Sequence, residues 1–88
     1  MQARLILIKG RVQGIGFRAY VRKIAKPLNI TGYAKNLSGG DVEILAIGEK
    51  GQLDILYYQI HEKFHLAIES IHTRDLFPIP SCGEFSIL

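Results

Sequence analysis

Cysteine is nearly absent: Cys82 is the only one among 88 residues. A single thiol excludes an intramolecular disulfide and a cysteine-rich metal site. A chain this small without staples must hold together by packing, and a free thiol suits a reducing compartment, so a cytoplasmic setting is expected. Long apolar runs are missing too. Leu5–Ile8 is as long an aliphatic run as the chain has, far short of the about 20 residues a membrane helix needs. No transmembrane helix and no membrane partner are expected. That run ends at Lys9 with no small-residue cleavage pattern behind it, so no signal peptide is expected either. Charge of one sign hardly dominates: 11 Lys and Arg against 8 Asp and Glu leave a formal +3. The surplus favours small anionic ligands or weak nucleic-acid contact, and demands neither. Repeats and low-complexity tracts are lacking.

What remains is the balance of an ordinary globular chain, 48 % hydrophobic and 22 % charged, which excludes whole-chain disorder. A chain of this length buries roughly 60–65 % of its unfolded surface, enough for one core and not two. One domain over residues 1–88 is expected.

Ala3–Lys9 reads as a strand, followed by a loop with glycines at 10, 14 and 16. Phe17, Tyr20, Val21, Ile24, Ala25 and Leu28 then repeat at helical spacing and share one face. Pro27 disfavours a helix interior, so the helix should end near Lys26, with Asn29 suited to a left-handed cap. Ile30–Asn36 and Asp41–Gly48 read as a β-hairpin around a Ser/Gly turn. Gln52–Lys63 carries Leu53, Leu56, Tyr57 and Ile60 at helical spacing, with one of Tyr57 and Tyr58 expected in the core. His65–Arg74 reads as a strand with a bulge at Ile71, Phe77–Cys82 as a loop, and Glu84–Leu88 as a short last strand.

The order β-α-β-β-α-β plus a terminal strand predicts an α+β, ferredoxin-like sandwich, two helices on one face of an antiparallel sheet. Alternation turns Ile6, Ile8, Val42, Ile44 and Ala46 toward the helices and Leu5, Leu7, Leu45 and Ile47 away. Those four are more aliphatic surface than solubility asks for. Either the tail covers them or they form a self-association or partner patch on an otherwise monomeric chain.

The richest segment is Gly10-Arg11-Val12-Gln13-Gly14-Ile15-Gly16-Phe17-Arg18. A strand enters a glycine-studded turn that opens directly into a helix. The first helical N–H groups lack intrahelical acceptors, and the helix dipole favours an anion there. Gly14 and Gly16 let consecutive amides converge, and Arg18 in the first turn adds a forked, charge-assisted contact. The same glycines also suit a tight turn with Arg18 merely solvated. A dinucleotide fingerprint does not fit, because Phe17 and Ala19 stand where its third glycine would fall, and the Gly-Lys-Ser/Thr of a Walker loop is absent. Asn36 ends the second strand at the Leu37-Ser38-Gly39-Gly40 turn, where Asn commonly starts a turn. Local pattern does not place it beside the glycine loop.

The nine-residue loop, followed eighteen residues after Arg18 by Asn36 within Gly32-Tyr33-Ala34-Lys35-Asn36-Leu37, resembles the acylphosphatase signature pair. Gly40-Asp41-Val42-Glu43-Ile44 and the closing Phe85-Ser86-Ile87 resemble the family pattern as well. The resemblance spans nearly the whole chain, with the length of a free-standing member. It implies hydrolysis of acyl phosphates without metal or organic cofactor, with phosphate as product or inhibitor. By the same resemblance, Arg18 and the backbone amides of Gln13, Gly14, Ile15, Gly16, Phe17 and Arg18 would bind phosphate, and Asn36 would orient the water. The chain departs from the family at Ser38-Gly39-Gly40, where Pro-Asp-Gly is usual, at Pro27, and at His61-Glu62-Lys63-Phe64-His65 after the second helix.

Other signals are weaker. His61 and His65 have a metal-compatible spacing, but no third ligand is evident and surface histidines are expected. Arg11, Arg18, Arg22, Lys23, Lys26 and Lys35 could form an RNA-binding face, yet RNA-recognition modules of this fold show aromatics on the open sheet, where aliphatics are expected here. Nucleic acid is therefore not the expected partner. A nearer rival resembles the acylphosphatase-like domain of hydrogenase-maturation carbamoyltransferases. A third is a non-catalytic, anion-binding or partner-binding module.

Overall fold

The computed structural model describes all of residues 1–88. Strands β1 (Gln2–Gly10), β2 (Thr31–Asn36), β3 (Val42–Gly48), β4 (Ile68–Asp75) and β5 (Phe85–Ile87) alternate with helices α1 (Phe17–Ala25) and α2 (Lys50–Phe64). The sheet order is β4-β1-β3-β2-β5. Every neighbouring pair is antiparallel except β2 with β5, which are parallel. The ferredoxin-like sandwich stands, with a mixed rather than antiparallel sheet. The parallel edge follows from the chain reaching β5 by a long crossing and not by a hairpin.

Two helices pack on one face. Ile6, Ile8, Val42, Ile44 and Ala46 meet Val21 and Ala25 of α1 and Leu53, Leu56 and Ile60 of α2 in a core of 15 buried residues. The inward set therefore follows the alternation of the sequence. Asn29 is the one non-glycine residue with positive φ, 55°, and ends the turn that follows α1. Tyr57 and Tyr58 are 37 % and 62 % exposed, so neither enters the core. Leu53, Leu56 and Ile60 already fill the buried stripe of α2.

The opposite face differs from expectation. Leu45 and Ile47 are buried with Ala3, and Leu5, Tyr33, Leu76 and Cys82 pack against them. The sheet order explains why: β4 and β5 lie at opposite edges, so the connection between them must cross the sheet. It crosses the helix-free face, starting where the Leu76 amide donates to the Ala3 carbonyl at 2.9 Å. The aliphatic residues expected outside are the inner wall of this crossing, with Leu5 and Leu7 half-buried. The connection from β4 to β5 thus covers Leu45 and Ile47 on this face.

The irregularity in β4 is displaced. Its register against β1 shifts between Lys9, paired with Ser70, and Gly10, paired with Ile68, so Glu69 and not Ile71 is the extra residue. Leu66 lies before the strand and is 93 % exposed.

Candidate active site

Strands β1 and β2 are both antiparallel to β3, so they run parallel to each other. Ile8 of β1 and Asn36 of β2 share the partner Val42. Their C-terminal ends therefore flank one point of β3. Because β5 is parallel to β2, its last residue Ile87 arrives at the same end. The loop leaving β1 and the N-terminus of α1 sit above these three strand ends. Sheet topology, absent from local pattern, thus brings Asn36 to the glycine loop.

The loop is pinned at both sides. Val12 and Phe17 are 1 % and 2 % exposed, and the Phe17 ring packs on Phe64 of α2 with centroids 4.8 Å apart. The Arg11 amide donates to the Ala67 carbonyl at 2.9 Å, and the Tyr20 amide to the Gly16 carbonyl at 3.0 Å. Between the anchors, Gly14 and Gly16 have φ of 77° and 78°. A Cβ at either would meet nothing within 4 Å. Backbone conformation and not space is what these positions demand, since a residue with a Cβ is strained in the left-handed region.

A cavity of about 150 Å³ lies at this junction, lined by Gly14, Gly16, Phe17, Arg18, Asn36 and Ile87 among others. One water needs about 10–15 Å³ of such volume, so the cavity has room for a group of phosphoryl size and a water. Of the expected site residues, the cavity gathers Gly14, Gly16, Phe17, Arg18 and Asn36. Gln13 and Ile15 do not line it, and Ile15 is 49 % exposed.

The Gln13 side chain has another role. Its Nε2 donates to the carbonyl of Leu37 at 2.8 Å and to that of Asp41 at 2.9 Å. With two carbonyls facing it, only the NH₂ end of the amide fits there. Gln13 thus ties the loop to the turn that begins one residue after Asn36.

Arg18 donates from Nη1 to the backbone oxygen of Leu88 at 2.6 Å. The Leu88 amide in turn donates to the Ala34 carbonyl at 2.9 Å. One end of the Arg18 guanidinium is thereby fixed to the β2–β5 edge, and its other N–H groups stay free. The Asn36 side-chain oxygen, Oδ1, is buried without any hydrogen-bond partner. It is the single such side-chain atom in the protein. An unsatisfied buried acceptor costs about 1–3 kcal/mol, so its persistence in a residue that lines the cavity needs a reason.

Comparison with known proteins fits this geometry. The acylphosphatase family model matches residues 4–87. A curated acylphosphatase of Vibrio parahaemolyticus is 50 % identical over 82 residues, 93 % of this chain and 91 % of that protein. The chain belongs to the acylphosphatase family. It is thereby an enzyme of the acylphosphatase class. The crystal structure of acylphosphatase from Bacillus subtilis superposes with a TM-score of 0.90 at 29 % identity, covering 100 % of this chain and 99 % of that one. Full-length HypF, in a phosphate- and nucleotide-bound form, gives the same TM-score at 35 % identity, yet this chain matches only 12 % of its length.

Around this cavity, sequence reading missed Ile87, the backbone oxygen of Leu88 and the Gln13 side chain. The Arg18–Leu88 contact spans 70 residues of chain, and no local signal announces it. Elsewhere, no three His, Cys, Asp or Glu side chains gather as a metal site. His61 and His65 are both exposed, and the His65 ring lies against the Glu62 carbonyl at 3.0 Å.

Proposed function

We propose that the chain hydrolyses the carboxyl–phosphate bond of acyl phosphates, with Arg18 and the loop amides binding the phosphoryl group and Asn36 orienting the attacking water. The observation that carries this reading is the small cavity that Arg18 and Asn36 share beside the glycine loop. The Asn36 side-chain amide, in the lining of that cavity, is suited to hydrogen-bond a water held there. The phosphoryl oxygens meet the N-terminus of α1, the left-handed glycines and the free side of the Arg18 fork, all of which favour negative charge.

The chemistry asks little more. Water oxygen bonds to phosphorus while the phosphorus–oxygen bond to the acyl group breaks. The acyl part leaves as a carboxylate, a good leaving group at neutral pH because its conjugate acid has a pKa near 4. One water proton passes to a phosphoryl oxygen, giving dihydrogen phosphate. An amide is no base at neutral pH, so Asn36 positions the water and the substrate takes the proton. Positioning and charge neutralisation supply the catalysis, one such electrostatic donor being worth about 2.7–4 kcal/mol. The single unpaired Cys82 supports a cytoplasmic setting.

The test is hydrolysis of benzoyl phosphate with chelator present, by wild type, Arg18→Ala and Asn36→Ala. Asn36→Ala is expected to lower kcat by about 10²–10³ with inhibition by phosphate retained. Arg18→Ala is expected to lose phosphate affinity as well. Full activity in Asn36→Ala refutes the water-orienting role. An inert wild type that phosphate still protects from heat would instead indicate a binding module.

A further inference from the structure

A groove of about 790 Å³ runs between α1 and the β5 edge of the sheet. Its floor is the free side of β5. The Glu84 carbonyl accepts from the Gly32 amide and the Leu88 amide donates to the Ala34 carbonyl, so residues 84, 86 and 88 turn their backbone groups toward β2. Phe85 and Ile87 alternate with them and turn theirs outward, where no turn or loop hydrogen bond takes them up. An edge of this kind is a template for one more strand. Phe85 lies in the helix-covered core, so one face of such a strand would look toward α1. There stand Arg22, Lys23 and Lys26, all exposed and none of them in an ion pair of the protein. Glu84 is the one acid in the lining.

We propose that the groove docks an extended acidic segment of a partner protein, which adds to β5 as a further strand and sets alternate Asp or Glu side chains against Arg22 and Lys26. The inference is independent of the hydrolytic reading. Arg22 and Lys26 are one turn apart, about 6 Å along α1, and alternate side chains of a strand recur at about 6.6 Å. The lining runs unbroken over residues 83–87, room for about 17 Å of strand. Cations near the C-terminal end of α1 complement its dipole in any case. That accounts for their sign, but not for their standing unpaired over an open sheet edge. A single-stranded nucleic acid would also meet the charge, but it binds by stacking bases on aromatic rings, and the one aromatic side chain of the groove, Phe85, is buried. Main-chain hydrogen bonds supply the affinity of an added strand, and the cations select its side chains.

The test titrates a blocked peptide of about seven residues, alternating glutamate and threonine, into isotopically labelled protein and follows the amide NMR shifts. A second peptide carries glutamine in place of glutamate. The acidic peptide is expected to shift the Phe85 and Ile87 amides and to bind about three- to tenfold more tightly than the glutamine peptide, the effect of one or two exposed ion pairs. That margin should vanish at high salt and in Arg22→Gln/Lys26→Gln, whose exposed positions leave the core untouched. N-methylation of one alternate set of peptide amides should abolish binding while methylation of the other set is tolerated, because only one set faces β5. No shift at millimolar peptide, shifts confined to α1, equal binding of the two peptides, or tolerance of both methylated sets overturns the proposal. So does a single-stranded oligouridylate that shifts the same amides at lower concentration, which would give the groove to nucleic acid.

Discussion

Replacing Gln13 by Leu tests whether the loop holds Asn36 in place through the neighbouring turn. The substitution keeps the bulk of a half-buried side chain and deletes both Nε2 donations, to Leu37 at 2.8 Å and to Asp41 at 2.9 Å. Each such bond contributes about 0.5–1.5 kcal/mol net, so the loss should lie near 1–3 kcal/mol. Each carbonyl keeps a second donor: the Leu37 amide still reaches the Asp41 carbonyl at 2.8 Å and the Gly40 amide the Leu37 carbonyl at 3.4 Å. The lower half of that range is therefore expected. In a chain of this size 1 kcal/mol moves Tm by roughly 4–8 °C.

The kinetic consequence separates positioning from plain stability. With the turn released, Asn36 loses a fixed register while Arg18 and the left-handed glycines are untouched. At a temperature where the variant is fully folded, kcat should fall by about tenfold or more, because small misplacements of an orienting group are costly. KM and phosphate inhibition should change little. Gln13→Glu should be worse, because a carboxylate would then face two carbonyl oxygens. Urea unfolding and steady-state hydrolysis of benzoyl phosphate give both readings. A variant that loses stability yet keeps wild-type kcat refutes the positioning role, and one that loses neither refutes the hydrogen bonds themselves.

Leu56 is 0 % exposed at the centre of the helix–sheet core, so Leu56→Ala should lose about 2–5 kcal/mol in urea unfolding; a loss well under 1 kcal/mol would mean that the site collapses around the smaller side chain. Gly16→Ala has open space for its Cβ but a φ of 78°, so a loss of about 1–2 kcal/mol with weaker phosphate inhibition is expected, and unchanged inhibition would discount the conformation of the loop. Burial, and then its hydrogen bond to Glu43, push the Tyr33 phenol up from 10.0 to about 12. Folding therefore retains a proton that the unfolded chain loses, and this contribution is fully present below pH 10.0 and lost as pH rises through about 12. Phenolate absorbance should show a step near pH 12 that Tyr33→Phe removes and Glu43→Gln lowers; a wild-type titration finished well before that pH would contradict it.

Much of the architecture is legible in local pattern. The helical stripe of α1 and the inward set Ile6, Ile8, Val42, Ile44 and Ala46 follow from period 3.6 and period 2, because burying one face is what makes each element stable. The left-handed Asn29 follows from Pro27, which cannot continue a helix. Where local reading erred, a distant segment decided. Leu45 and Ile47 look exposed to any rule that sees only their strand, and it is the crossing from β4 to β5 that covers them. Tyr57 falls at a core spacing, but its neighbours have already filled the stripe.

The sequence by itself determined the chemistry on offer: two glycines able to adopt positive φ, a helix opening behind them, and an arginine in its first turn. These are properties of adjacent residues, whose geometry bond rotation and the helix dipole set locally. Tertiary structure alone decided that this loop and Asn36 share a cavity, because only the common pairing of β1 and β2 with β3 puts their ends together. It also decided that the backbone of Leu88, 70 residues away, fixes the Arg18 guanidinium. Contacts across such separations exist only once the sheet has closed, since loop-closure entropy opposes them until the packed core offsets it.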